Sequence, residues 1–159
     1  MKPSEIIRLT NSSKRALMDS SSAPDAFLLA YVAWEGLQLR ILVAGLFASG
    51  KSVSEAYRVI KDRKVWDKVN RNRLFVEVFG ANPQNIKYLG KHFKKAESVK
   101  NLRDRYVHGF SRTSPQKFKD GTQILLALIE HNWGDDIHRL LKSKVSNNGK
   151  LNPLLRLRR

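Results

Sequence analysis

Arg103 and His108, separated by four residues, are the two side chains in this sequence best suited to chemistry. Histidine changes charge near neutral pH, so it can take a proton from a hydroxyl or give one to a leaving oxygen. Arginine keeps its charge, and its planar fork can hold two phosphate oxygens in a transition state. RNA carries a 2′-hydroxyl beside each phosphodiester. The pair could therefore cleave RNA without a metal, leaving a 2′,3′-cyclic phosphate and a 5′-hydroxyl.

The residues around this pair resemble the signature of a known family. Asp104 directly follows the arginine, Gly109 directly follows the histidine, and a long apolar segment containing Trp34 and Glu35 comes earlier in the chain. This arrangement is similar to the HEPN superfamily of endoribonucleases, whose signature is an arginine, a polar residue, three further residues and a histidine. The resemblance extends over most of the chain as an order of helices, and residues 102–109 are its specific part.

The resemblance implies an all-α bundle that forms a homodimer, with a cleft built from two copies each of Arg103 and His108. It also implies that Asp104 is catalytic as a polar supporter of the histidine or of the neighbouring backbone. Members often serve as toxins or antiviral defence effectors, which implies a cognate antitoxin or regulatory protein as partner. In some toxin members a tyrosine two positions after the histidine is nucleotidylated by the antitoxin. Phe110 stands there in this chain, so control by that route is not expected.

Glu35 and Arg105 are predicted to support the site. Glu35 lies within the apolar helix, and a buried carboxylate requires a cation. We expect it to pair with Arg103 or Arg105, whereas the alternative places it in solvent at a helix end or interface. The motif itself also has a purely structural interpretation, since a histidine in the last turn complements the helix dipole and a following glycine caps the helix.

The charge of the chain indicates a polyanionic partner. The sequence has 30 Lys+Arg against 14 Asp+Glu, a formal net charge of +16, and folding does not require such an excess. RNA is the first candidate and an anionic membrane the second. Basic residues interleaved with an aromatic suit single-stranded RNA, although such runs are commonly solvated helix faces with the aromatic in the core. The predicted RNA-binding residues are Lys61, Arg63, Lys64, Trp66, Lys68, Arg71, Arg73, Lys94 and Lys95.

A second motif, which spans residues 45–52, matches the Walker A pattern of P-loop nucleotidases through Gly45, Gly50, Lys51 and Ser52. A P-loop follows a strand and precedes a helix, within a domain of several parallel strands. We predict no strand between residues 53 and 119. A helix break at the second glycine and a capping box from the serine explain the same residues. The motif is therefore expected to be a decoy. A P-loop nucleotidase is the second alternative function, after a non-catalytic RNA-binding or RNA-sensing module.

Helices are the elements expected to position these residues. Apolar residues recur at helical spacing, and no segment alternates convincingly over the length of a strand. We predict a single HEPN-like domain of about five or six helices over residues 1–142, and a basic, flexible tail over residues 143–159. One helix should run from Pro24 to about Ser49 and be central, because it is apolar nearly all round. Another is expected from Gln123 to Trp133.

The composition excludes several classes of protein. The chain has no cysteine, which rules out disulfide scaffolds, thiolate metal sites and a cysteine nucleophile. Residues 26–48 are long enough to span a bilayer, but Glu35, Gln38 and Arg40 would be costly in lipid. We therefore expect a soluble cytoplasmic protein that has no membrane partner and uses neither a metal nor a cofactor.

Overall fold

A computed structural model of the chain describes residues 1–109 and 113–141, with only the backbone of Ser20. Every regular element in these residues is helical, which confirms the predicted all-α class. Phe110 and the tail predicted over residues 143–159 lie outside the described residues. The α-helices found in this part of the chain are α1 (Pro3–Leu17), α2 (Ala23–Ala48), α3 (Val53–Asp62), α4 (Lys68–Phe79), α5 (Gly90–Ser98), α6 (Lys100–Val107), α7 (Pro115–Glu130) and α8 (Trp133–Leu141). Two short 3-10 helices span Ser20–Ser22 and Pro83–Asn85.

The chain folds into two compact units, each assembled from separate segments. Among the described residues, the first unit contains Met1–Leu37 and Lys94–His131, and the second contains Gln38–Phe93 and residues 132–141. Neither unit is one continuous stretch, so no change in composition along the sequence marks a boundary between them.

Helix α2 begins and ends within one residue of its predicted bounds. Pro24 lies in its first turn, where a missing N–H costs nothing. Gly50 follows with a φ of +96°, and its N–H donates to the Phe47 carbonyl at 3.0 Å. α2 is long and apolar enough to cross a membrane by length and composition, a test that core helices also pass, and 61% of its 18-residue window is buried inside the structure. Phe27, Trp34 and Ile41 are among its buried side chains.

The capping box predicted at the start of α3 is confirmed. The Ser52 hydroxyl accepts a hydrogen bond from the Glu55 N–H at 3.3 Å, and the Glu55 carboxylate accepts one from the Ser52 N–H at 2.7 Å. Hydrogen bonds from the Ser52 side chain and backbone hold the pKa of Glu55 below its ordinary value. The box fixes where α3 begins after the break at Gly50.

The described residues form eight α-helices, more than the five or six predicted, and one predicted helix is displaced. The apolar pattern before Gly109 was expected to form two helices or one broken near Ala96, and it forms two, α5 and α6, which meet at Val99. The helix predicted from Gln123 to Trp133 instead runs from Pro115 to Glu130, and Gly134 lies inside α8. The first turns of α7 read as polar in sequence, but they bury Phe118, whose carbonyl accepts the Thr122 hydroxyl at 2.7 Å.

Close packing between two helices explains why Gly45, the first residue of the Walker-like motif, is a glycine. A Cβ atom at this position would lie 2.4 Å from Val78 Cγ1 and 2.6 Å from Phe79 Cζ. Any side chain there would force α4 away from α2 within the second unit. The glycine is therefore required by the contact between these two helices.

The Gly45→Val variant should lower the free energy of unfolding. Overpacking of this kind typically costs about 1–3 kcal/mol, and urea denaturation followed by circular dichroism would measure it. Lys51→Ala is the matched control in the same motif. It should leave the free energy of unfolding nearly unchanged, because Lys51 is exposed. A Gly45→Val protein as stable as wild type would contradict the close approach of α2 and α4.

Candidate active site

The predicted catalytic pair lies at the C-terminal end of α6. The helix ends at Val107, and His108 follows with φ −93° and ψ 8°, its N–H donating to the Asp104 carbonyl at 3.1 Å. Gly109 then adopts a φ of +69°, the left-handed conformation that favours glycine. The prediction that the helix ends near His108 is confirmed. The His108 side chain is exposed, and the same geometry also satisfies an ordinary helix C-terminus.

Contacts within the first unit hold α6 against α2 and α7. Gly121 of α7 makes close approach possible, because a Cβ there would lie 2.9 Å from both Leu102 Cδ1 and Phe27 Cε2. The Tyr106 ring meets the Phe118 ring edge-on at 5.7 Å, and its hydroxyl lies 3.5 Å from Asp25 Oδ1. Leu102 and Tyr106 flank Arg103 in sequence, so these contacts set the position of the arginine.

Arg103 is held by a carboxylate and by an aromatic ring. Its Nη1 donates to Asp104 Oδ1 at 2.7 Å, and its guanidinium carbon lies 5.4 Å from the centre of the Tyr31 ring. Lys100 Nζ lies 3.6 Å from the other Asp104 oxygen. Asp104 was predicted to support His108 or the nearby backbone. Its carboxylate bonds Arg103 while its carbonyl accepts from His108, so it contacts both members of the pair.

Tyr31 is a component of the site that the sequence analysis missed. Burial, followed by the nearby charge of Glu35, raises the pKa of Tyr31 to about 12; Arg103 lowers it, and Asp104 and Glu97 raise it. The hydroxyl therefore stays protonated at neutral pH and cannot act as a base. One clue was present in the sequence, because Tyr31 and Glu35 are four residues apart and share a helix face.

Glu35 and Arg103 act on the same tyrosine, since each changes its pKa. Glu35 is partly buried in α2, and its charge raises the pKa of Tyr31. Arg105 is exposed on α6. A direct pair between Glu35 and either arginine remains a prediction.

For the endoribonuclease activity that the motif predicts, the Tyr31→Leu variant should be slower, because it removes the ring that lies against Arg103. A cation–π contact contributes about 0.5–2 kcal/mol, which corresponds to a decrease in kcat of roughly 2- to 30-fold. Tyr31→Phe keeps the ring face and should retain most of the activity. Single-turnover kinetics on a short RNA would separate the two variants. Equal rates for the leucine and phenylalanine variants would show that the ring does not orient Arg103.

The predicted RNA-binding residues are exposed with one exception. Arg71 is only 7% exposed, and its Nη1 lies 3.5 Å from the Trp66 carbonyl. This burial does not favour Arg71 as an RNA contact, and its role stays a prediction. The exposed residues are Lys61, Arg63, Lys64, Trp66, Lys68 and Arg73 in the second unit, and Lys94 and Lys95 on α5 in the first. Arg63 also forms an ion pair with Glu77.

The Walker-like residues do not occupy a nucleotide loop. The strand that a P-loop requires would fall on residues 39–44, which lie inside α2. Gly45 is buried in that helix, Gly50 follows its end, and the Ser52 hydroxyl caps α3. Lys51 is exposed between the two helices. The motif is accounted for by a helix break and the next helix start.

No protein-family model matches the chain, and neither the curated proteins nor the solved structures contain a match to it. The likeness to HEPN proteins therefore consists of residues 102–109 and the helical fold class.

Proposed function

We propose that the chain is a metal-independent endoribonuclease in which His108 and Arg103 carry out the chemistry. One observation supports this most directly. His108 is exposed where α6 ends, while Arg103, five residues earlier, is partly buried and held by Asp104 and Tyr31. An accessible acid–base group and an oriented cation are what 2′-hydroxyl attack on a phosphodiester needs.

In the proposed reaction, neutral His108 takes the proton from the 2′-hydroxyl as that oxygen attacks phosphorus. The bond from phosphorus to the 5′-oxygen breaks, and the leaving oxygen accepts a proton from an acid. Arg103 stabilises the charge that grows on the non-bridging oxygens. Asp104 and Tyr31 act through the arginine and are positioning residues. The products are a 2′,3′-cyclic phosphate and a 5′-hydroxyl.

The proposal includes a homodimer. Residues five apart on a helix are rotated by about 140° from each other, so the two side chains leave α6 in different directions. A second copy facing this end of α6 would bring its own Arg103 and His108 to the same phosphate. One histidine could then accept the 2′-proton while the other protonates the leaving oxygen. This arrangement also matches what the HEPN resemblance implies.

Digestion of a mixed RNA in excess EDTA, followed by analysis of fragment ends, tests the proposed function. Wild type should produce 2′,3′-cyclic phosphate ends. It should not cut a deoxyribonucleotide strand that contains one ribonucleotide if the 2′-hydroxyl of that ribonucleotide is methylated, because the attacking oxygen is then blocked. Cleavage that requires an added divalent metal, or that leaves 5′-phosphates, would overturn the mechanism.

The second candidate is a non-catalytic RNA-binding or RNA-sensing module. It is favoured by the exposed basic residues around Trp66, because they lie in the second unit and need nothing from His108. It predicts salt-dependent RNA binding without cleavage. A toxin or antiviral role in the cytoplasm, with a regulatory protein that restrains cleavage, extends the first proposal and rests on the resemblance alone.

A further inference from the structure

The geometry points to the turn between α3 and α4, residues 63–67, as a binding site for an unpaired nucleotide strand. A base would stack on Trp66, and the Lys64 ammonium would contact a phosphate. The inference rests on the proposed function only in assuming that the bound strand is RNA. It adds to that function a preference of the protein for single-stranded over duplex substrates. We call these five residues the Trp66 turn.

The Trp66 turn begins with a Schellman motif at the end of α3. The Val65 N–H donates to the Ile60 carbonyl at 3.1 Å, and the Lys64 N–H donates to the Lys61 carbonyl at 3.0 Å. Val65 is fully buried, as expected for the apolar contact that accompanies this motif. These hydrogen bonds fix the backbone of the turn, and every residue of the turn except Val65 is exposed.

Lys64 occupies the position in this motif where glycine is usual. Its φ is 49°, in the left-handed region that costs a residue with a Cβ atom more than glycine. Its side chain is exposed. Folding alone would favour glycine here, and the lysine in its place puts an exposed positive charge two residues from Trp66.

Trp66 is exposed because of the way α4 begins. Asp67 is the N-cap, with its carboxylate accepting from the N–H groups of Val69 and Asn70 at 2.9 and 3.0 Å. The residue before an N-cap often packs on an apolar residue in the fourth helical position. That position holds Arg71, which is buried, and its Nη1 atom lies 3.5 Å from the Trp66 carbonyl oxygen. The indole is left 61% exposed.

The two other tryptophans of the chain lie in its core. Trp34 is 2% exposed and Trp133 is 1% exposed, so this protein buries its indoles elsewhere. An exposed indole costs hydrophobic free energy unless something covers it. Nucleobases are suitable partners, because each presents a flat face for stacking.

Positive charge surrounds the exposed indole. Residues 61–73 contain six basic and two acidic residues. Asp67 directs its carboxylate to the start of α4, so its charge is partly neutralised there by backbone N–H groups. The exposed basic side chains near Trp66 in sequence are Lys61, Arg63, Lys64, Lys68 and Arg73. Arg63 forms an ion pair with Glu77.

A single strand fits this surface better than a duplex or a membrane. Bases in a duplex are already stacked on each other, whereas those of a single strand can stack on an aromatic side chain. An interfacial membrane anchor needs a broad apolar face. Here the exposed apolar residues, Trp66 and Val69, are separated by Asp67 and Lys68, which are both exposed.

The test uses the His108→Ala protein, so that RNA persists whether or not the chain cleaves it. Tryptophan emission is titrated with a 15-nucleotide oligouridylate, an oligothymidylate of the same length, and an RNA duplex. Because Trp34 and Trp133 are buried, a change in emission should come from Trp66. Quenching by either single strand supports the proposal, and the ratio of the two affinities identifies RNA or DNA as the preferred source of the strand. The duplex should bind more weakly.

Two variants in the same background separate stacking from charge, with affinity measured by fluorescence anisotropy of a labelled oligouridylate. Trp66→Ala should weaken binding by about 5- to 100-fold. Lys64→Gly should raise thermal stability by relieving the left-handed φ, and should still weaken binding. It should also reduce the slope of log affinity against log salt by about 0.7, the contribution of one phosphate contact on a single strand. Greater stability together with weaker binding is a result that a structural role for Lys64 would not produce.

Tyr88→Ala and Lys117→Ala are the matched controls. Tyr88 is also exposed, with the Lys87 ammonium 5.2 Å from its ring centre, and Lys117 is exposed on α7. Neither change should alter affinity for the oligouridylate.

Wild-type affinity in the Trp66→Ala protein would overturn the inference. Binding to phosphatidylserine vesicles but to neither single strand would also overturn it. If the Trp66 turn does not bind single strands but wild type still cleaves RNA, the proposed function is unaffected. Binding here without any cleavage would remove the proposed function alone.

Discussion

Replacing His108 with alanine should abolish RNA cleavage in EDTA while leaving the protein folded. General acid–base catalysis contributes about 10²- to 10⁴-fold to a rate, so the residual rate should fall close to the background. The free energy of unfolding should change little, because the side chain is exposed just beyond α6 and fills no space in the core. Gel analysis of RNA fragments, with denaturation curves on the same preparations, measures both quantities.

His138→Ala is the matched control for this variant. His138 also lies in the last turn of a helix, α8, and should be dispensable for cleavage. A His108→Ala protein that cuts RNA at the wild-type rate, with the same fragment ends, would exclude His108 as acid or base. It would also direct attention to a contaminating nuclease.

Replacing Arg103 with lysine should lower kcat although the positive charge is retained. Lysine cannot reproduce the planar fork that holds two phosphate oxygens. It also lacks the flat face that lies against the Tyr31 ring. Loss of one transition-state donor typically costs about 10²- to 10³-fold in kcat. KM should change less than kcat, and single-turnover kinetics would separate the two parameters. Arg8→Lys, an exposed substitution on α1, is the control for the chemical change itself.

Mixing the Arg103→Lys and His108→Ala proteins tests the proposed dimeric cleft. If one cleft draws on both subunits, a mixed dimer holds one intact arginine and one intact histidine. It should then cleave faster than the His108→Ala homodimer, which has no histidine, and more slowly than wild type, because water must replace the second histidine. Size-exclusion chromatography and a tagged subunit establish that mixed dimers form. Mixed dimers with no recovered cleavage would contradict a shared cleft while leaving the roles of the two residues intact.

The sequence predicted those elements whose cause is local. A proline in the first turn and a glycine after the end set the bounds of α2. The serine and glutamate of the capping box set the start of α3, and Gly109 marks the end of the segment that carries the motif. Each of these depends on backbone geometry over a few residues, so one window of sequence contains the information.

The remaining features depend on contacts between distant residues. The start of α7 was missed because its buried positions include Thr122, a polar residue satisfied by a hydrogen bond to Phe118. Arg71 was expected at the surface with its basic neighbours, but it lies under the Trp66 carbonyl. Tyr31 joined the site only when α6 and α2 came together, which no local pattern specifies.

Helix α6 has a further consequence, because it is eight residues long and has no fully buried residue of its own. A helix of this length is unstable in isolation, and the contacts described above join it to its neighbours through Leu102, Tyr106 and the Arg103 guanidinium on Tyr31. We therefore expect it to lie at the low end of local stability in the first unit, with opening that does not require global unfolding. The fraction of molecules with α6 closed sets the fraction able to hold Arg103 in place. A second copy, or a regulatory protein, that covers α6 would change the activity by shifting this opening equilibrium without touching the phosphate.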